Sequence, residues 1–322
     1  MSRRSFIAGL LSAPVALSRP SWAQSFPSRP IRLLVPVPAG SVPDVIARLL
    51  AQRLAEQWPV PVVVENRPGA GGAIGVEAAI RAPADGHVLL LGSSGPIAIL
   101  PAVNRRLSYD PLRDLVPVAR CADFPLIFLA SVSSGLRSFE DLLDRARSSG
   151  EMLDYAGGDL GSTQHLSGAL LVRQAGIRLN HVPYRGGGLA QADLIAGRLP
   201  VMVDSLTAVL RTIQDGKAIP LAVCGAQRAS QLPHVPTVAE SVPGYESTGW
   251  MGVFAPAAVP WQIVARVSAL CTGLIGDPAL AARIVAAGSD PMPQPASEFR
   301  AFVAAELVKW AQLAGSAGIA IE

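Results

Sequence analysis

From Ile31 onward the chain alternates short β-rich apolar runs with helical patterns, and it passes through this alternation twice. A strand that leads through a helix into a neighbouring strand folds back over the sheet face. Such alternation restricts a chain to α/β architectures with a parallel sheet and helices on both faces. The first cycle reads 31–36 as a strand and 43–57 as a helix, with Val45, Ile46, Leu49, Leu50 and Leu54 on one face. A strand at 60–65, a helix at 73–81 and a strand at 88–91 complete it. The second cycle reads strands at 126–130, 153–156, 179–183, 201–204 and 220–224, with helices at 139–147, 163–174, 189–196 and 206–214 between them. A Pro-rich loop from Leu232 to Tyr245 leads to a strand at 251–255 and a helical tail over 261–275, 279–286 and 297–315.

This order predicts an α/β fold of two doubly wound lobes. The tail is expected to pack on the first lobe. Lobe 1 then comprises 24–121 and 229–322 and lobe 2 comprises 122–228, with crossings near Cys121 and after Cys224. Two lobes joined by two crossings leave a cleft ringed by loops at the carboxyl ends of the strands.

Residues 1–23 read as a cleavable leader. Arg3 and Arg4 supply its positive end, and Phe6 to Leu17 supply its apolar stretch. That stretch is too short for a bilayer, which takes about 20 apolar residues. Ser21-Trp22-Ala23 offers a cleavage site at Ala23. The run Ser2-Arg3-Arg4-Ser5-Phe6-Ile7 follows the twin-arginine export pattern, which predicts a periplasmic destination; an ordinary secretion signal is the alternative.

Removing the leader changes the charge argument. Three of the 27 basic residues and none of the 24 acidic ones lie in it, so the remaining chain is balanced. Nothing in that balance points to nucleic acid or a membrane surface. Only three cysteines are present, Cys121, Cys224 and Cys271, which excludes a disulfide framework. Buried free thiols are expected, with a single Cys121–Cys224 bridge as the alternative.

Five polar strand ends are candidates for ligand contact. The first runs from Pro36 to Asp44, where Ser41 and Asp44 form a capping-box-like pair and Pro43 suits a first helical turn. Gly92-Ser93-Ser94-Gly95 follows the third strand. In the second lobe, Gly157 to His165 opens a helix, capped by Ser162 or Thr163. Tyr184-Arg185-Gly186-Gly187-Gly188 and Asp204-Ser205 end two further strands. Helix-start amides and hydroxyls converging on one cleft suit a small organic anion such as a carboxylate.

Enzyme signatures are weak. The glycine run 69–75 has the wrong spacing and follows the wrong strand for a dinucleotide site, and there is no P-loop. His87, His165, His181 and His234 lack metal-ligand spacing, so neither a metal nor a cofactor is expected. A hydrolase using Ser93 or Ser162 with His165 is the enzyme alternative.

The loops also carry a family resemblance. Pro38-Ala39-Gly40-Ser41-Val42-Pro43-Asp44-Val45-Ile46-Ala47-Arg48, Glu65-Asn66-Arg67-Pro68-Gly69-Ala70-Gly71-Gly72, Tyr109-Asp110-Pro111-Leu112-Arg113-Asp114-Leu115, Gly161-Ser162-Thr163-Gln164-His165-Leu166, His181-Val182-Pro183-Tyr184-Arg185-Gly186 and Val235-Pro236-Thr237-Val238-Ala239-Glu240 occur in one order. Together they resemble the Bug proteins, the extracytoplasmic receptors of the tripartite tricarboxylate transporter family. The resemblance implies a type II periplasmic-binding-protein fold, a monomer, and a carboxylate ligand handed to membrane permease subunits or to a sensor kinase. An orphan receptor without a transport partner is a further alternative. By motif, the implied ligand-binding residues are Ala39, Gly40, Ser41 and Asp44, with Ser162, Thr163 and His165. Ser93 and Asp204 join them by strand-end position. The chain departs from the family pattern at Val37, Ser41 and Pro43, which leaves the ligand class open to change.

Overall fold

The computed structural model describes residues 26–320 apart from 149–151, 159, 185–186 and 230. The expected leader lies outside the described residues, as do Asp159, Arg185 and Gly186 of the lobe 2 loops. The strands are β1 (Ile31–Val35), β2 (Val62–Asn66), β3 (Val88–Ser93), β4 (Leu115–Ser131), β5 (Leu153–Ala156), β6 (Leu179–Val182), β7 (Val201–Ser205), β8 (Ala218–Val223), β9 (Thr248–Pro256) and β10 (Asp290–Pro295). The longer helices are α1 (Val42–Gln57), α2 (Ala73–Ile80), α3 (Phe139–Ser148), α4 (Thr163–Ala175), α5 (Gly187–Ile195), α6 (Leu206–Gln214), α7 (Trp261–Ile275), α8 (Pro278–Ala286) and α9 (Ala296–Ala317).

The sheet order is β2-β1-β3-β9-β4-β7-β5-β6, with β8 and β10 also pairing to β4. In lobe 1, β1 is parallel to β2 and β3. In lobe 2, β5 is parallel to β6 and β7. These are the two wound units that the alternation predicts. β3 is buried on both faces, as is β1 apart from Arg32. Leu34 and Leu90 enter one core, while Leu33, Val35, Leu89 and Leu91 enter the other. The period of two along a strand assigns each residue to its side.

Three features differ from the sequence reading. The strand expected at 126–130 is the end of the 17-residue β4. Its first part pairs with β9 as far as Pro125↔Thr248, and its last part pairs with β7 from Leu126↔Ser205. Pro117 and Pro125 interrupt the strand pattern, and register shifts at Pro117/Ala119 and Arg120/Ala122 absorb the irregularity. Next, β10 was not expected at all. Three prolines in Asp290-Pro291-Met292-Pro293-Gln294-Pro295 argue against a strand, yet the segment pairs with β4 across a shift between Pro291 and Gln294. Proline is tolerated at such irregular positions.

The third difference is α9. The tail was expected on lobe 1, and α7 and α8 do pack there against α1. By contrast, α9 runs about 33 Å at 1.5 Å per residue and reaches both lobes. Phe299, Val303, Trp310 and Leu313 share one core with Leu90 of lobe 1 and with Tyr155 and Leu166 of lobe 2. Arg173 of α4 donates to the carbonyl of Gln312 at 3.3 Å and to Ser316 Oγ at 2.8 Å. Arg120 of β4 lies 3.6 Å above the Phe302 ring and also binds the Asp123 carboxylate at 2.6 and 2.8 Å.

The strongest tie is a buried carboxylate. Glu306 accepts the indole N–H of both Trp250 and Trp310 at 2.9 Å, with Lys309 beside it. Trp250 and Trp310 are both fully buried. The three cysteines are buried free thiols, as expected. Among the described residues, no single helix is long and apolar enough to cross a membrane.

Replacing Glu306 by Ala strands two buried indole donors. The expected loss is about 2–4 kcal/mol in urea unfolding, with a smaller loss for Glu306→Gln, whose amide oxygen still accepts.

Candidate functional site

The loop after β1 is shaped by Asp44. Its carboxylate is buried in the first turn of α1. It accepts the Gly40 N–H at 2.8 Å, Arg48 Nε at 3.0 Å and Asn66 Nδ2 at 2.9 Å. Burial alone would raise its pKa; the hydrogen bonds from Arg48, Gly40 and Asn66 outweigh burial and hold the carboxyl below its ordinary value. Asn66 also donates to the carbonyl of Val37 at 3.1 Å, which ties the end of β2 to the first loop. The expected Ser41–Asp44 capping pair is therefore rearranged. Ser41 stands at the N-cap, but its hydroxyl donates to the Pro38 carbonyl at 2.7 Å. The Asp44 side chain reaches one residue further back, to Gly40. Ala39 and Gly40 are exposed and Ser41 is half-buried.

The other lobe 1 loops meet this one. Gly72 has φ +98, and a Cβ there would lie 2.9 Å from Pro96 Cβ and 3.3 Å from the Pro36 oxygen. Only glycine lets the three loops approach so closely. Ser93 is buried at the end of β3. Beside it, the buried Ser94 hydroxyl has no hydrogen-bond partner among the described residues.

The lobe 2 cluster is built around the start of α4. Ser162 caps the helix by accepting the His165 N–H at 3.1 Å. Thr163 is buried, and its carbonyl accepts from Ser167 Oγ at 2.7 Å. The His165 ring is turned back under its own loop, where Nδ1 accepts the Gly161 N–H at 3.0 Å. The ring thus braces the helix start, and it is the His165 backbone, not the ring, that bonds to the Ser162 hydroxyl. Burial, together with the neighbouring His181, pushes the His165 pKa down to about 4. His165 is therefore neutral at neutral pH.

Asp204 ends β7 and is buried. It accepts from the Ser205 N–H at 2.7 Å and from Gln164 Nε2 at 3.3 Å. A Cβ on Gly187 would lie 2.4 Å from Asp204 Oδ2, so the start of α5 sits directly on this carboxylate. Burial raises the Asp204 pKa. Tyr184 donates its N–H to the Gly158 carbonyl at 3.2 Å and completes the cluster.

The candidate residues thus fall into two groups. Ala39, Gly40, Ser41, Asp44 and Ser93 stand at strand ends of lobe 1, and Ser162, Thr163, His165 and Asp204 at strand ends of lobe 2. Asp44, His165 and Asp204 are engaged by the protein itself. Four residues were given no role by sequence reasoning: Asn66, Ser94, Gln164 and His181. Each stands within a quoted loop or motif, yet residue type alone did not reveal its surroundings.

The chain matches the family model described as the tripartite tricarboxylate transporter family receptor over residues 46–319. It belongs to that receptor family. BugT of Bordetella pertussis is 33% identical to it over 99% of this chain and 98% of the relative. The R. palustris protein Rpa4515, solved with adipate, superposes with a TM-score of 0.81 and 34% identity, over 92% of this chain and 99% of that one. MatC (Rpa3494) from Rhodopseudomonas palustris, with bound malate, gives a TM-score of 0.76 and 27% identity, over 89% and 99%. The type II periplasmic-binding-protein fold expected from the resemblance is the fold of this receptor, with a cleft between its two lobes.

In this receptor, Asn66→Ala removes the amide that joins Val37 to Asp44. The expected cost is about 1–3 kcal/mol in urea unfolding. Asn66→Asp should cost more, because it sets a second carboxylate against Asp44.

Proposed function

We propose that the chain is a periplasmic receptor that captures a small organic carboxylate between its lobes and delivers it to tripartite-type permease subunits. The lobes are 24–121 with 229–322, and 122–228. Ala39, Gly40, Ser41 and Ser93 face Ser162 and Thr163 across the cleft, and the protein works as a monomer without catalysing a reaction. Delivery to a sensor kinase is the alternative route. The leader at 1–23 directs export and is removed after Ala23.

One observation carries this reading. A long helix begins at each cluster, α1 in lobe 1 and α4 in lobe 2, while the nearby acidic side chains are turned inward. Helix starts favour negative charge. Asp44 is satisfied by Arg48, Gly40 and Asn66, and Asp204 lies against Gly187. Neither presents a solvated charge that would repel an anion. The adipate and malate bound to the two structural relatives support a carboxylate as the ligand class.

The test is titration calorimetry of the mature chain against adipate, malate and a panel of other mono-, di- and tricarboxylates. At least one should bind, and Ser41→Ala and Thr163→Ala should each weaken it about tenfold, the scale of one hydrogen bond to a charged group. Binding that is indifferent to both substitutions overturns the site. Cell fractionation checks the leader: changing Arg3 and Arg4 to Lys should retain the protein in the cytoplasm.

A further inference from the structure

We propose that His165 and His181 are paired positioning residues that pin the two ends of the lobe 2 ligand loop. The inference rests on the reading of that loop as ligand-facing. The His165 Nδ1 accepts the Gly161 N–H at 3.0 Å, at the C-terminal end of the glycine-rich stretch. The His181 Nε2 bonds to the Gly157 carbonyl, at its N-terminal end. An imidazole nitrogen that accepts carries no proton, and a carbonyl oxygen can only accept. The geometry therefore assigns the Nε2–H tautomer to both rings.

The rings also hold each other. They stack with centroids 4.0 Å apart and planes inclined by 25°. Tyr155 of β5 packs on His181 at 5.2 Å, and its hydroxyl donates to the His165 carbonyl at 3.0 Å. Three rings from β5, β6 and α4 thus form a floor under the loop. Ser162 and Thr163 follow Gly161 directly, so their position depends on where that floor sets Gly161.

The arrangement is sensitive to charge. Protonating His165 at Nδ1 converts the acceptor into a donor aimed at the Gly161 N–H, and places a cation on a stacked neighbour. The titratable or charged groups around it are His181 on β6, Tyr155 on β5 and Arg173 on α4, which line the same 410 Å³ cavity. The folded-state pKa is depressed to about 4 from 6.5. Between those values the unfolded chain binds more protons than the folded one. Stability from this group is fully present above pH 6.5 and is lost as pH falls toward 4.

The experiment uses the mature chain and four variants. His165→Asn keeps an acceptor oxygen at the Nδ1 position, and His181→Gln keeps an N–H at the Nε2 position. His165→Phe and His181→Phe keep the stack and remove the polar atoms. In the ligand-free protein, both Phe variants should raise amide hydrogen exchange at Gly161 about tenfold, and the Asn and Gln variants should stay near wild type. Adipate affinity should follow the same order, with about a fivefold loss in each Phe variant. The His165→Asn variant should also lose the stability change between pH 4 and 6.5. Nitrogen chemical shifts of the wild-type imidazoles should report Nε2–H for both residues.

Unchanged exchange in the Phe variants overturns the proposal, as does failure of Asn and Gln to rescue, or an Nδ1–H tautomer at either ring. If a Phe variant does not fold, the Asn and Gln variants and the tautomer measurement still decide. If exchange follows the expected order while no carboxylate binds the wild type, the clamp stands and the ligand reading fails.

Discussion

From Leu115 to Ser131 the β4 backbone hydrogen-bonds to β9 and β10 at one end and to β7 and β8 at the other. Both lobes therefore share one strand, and the change of partner falls at Pro125–Leu126. A rotation of one lobe against the other bends β4 where its ladder partners change. Such a site can absorb a few backbone torsion changes while the lobes stay rigid. The α9 helix adds a second constraint. It touches both lobes, and Glu306 grips Trp250, which is paired with Asp123 just before the partner change.

Buried charge is used in one way throughout. Asp44, Asp204 and Glu306 are all removed from water, and each is met by backbone or side-chain donors from another segment. Their work is to fix loops and helices, since a buried carboxylate without donors would be strongly destabilising. With the acids turned inward, the strand ends present amides, small hydroxyls and glycines. The charge balance of residues 24–322 fits this division. In the proposed function, attraction for an anion rests on local helix starts and not on a global field.

The wound order of both lobes was legible because it rests on local periodicity. An unbroken apolar run such as Leu33-Leu34-Val35 marks a strand buried on both faces, and Ile46, Leu50 and Leu54 mark the buried stripe of α1. The loops carrying the candidate residues were legible for the same reason, since strand ends are placed once strands are placed. The full span of β4 and the whole of β10 were not. Their prolines break the local pattern, and only bulged pairing with a distant strand restores it. The lobe 2 reach of α9 was hidden too: an apolar stripe shows that a helix packs, without naming its partner.

Among the single residues, the sequence alone determined the two-lobed α/β class, the strand-end position of Ser41, Ser93, Ser162 and Asp204, and a set of cysteines too small for a disulfide framework. Each follows from composition or from spacing along the chain. The tertiary structure decided the partners of the polar side chains. Asp44 bonds to Gly40, Arg48 and Asn66, and His165 turns under its loop onto His181, because side-chain partners depend on contacts between segments far apart in sequence. No local pattern contains that information.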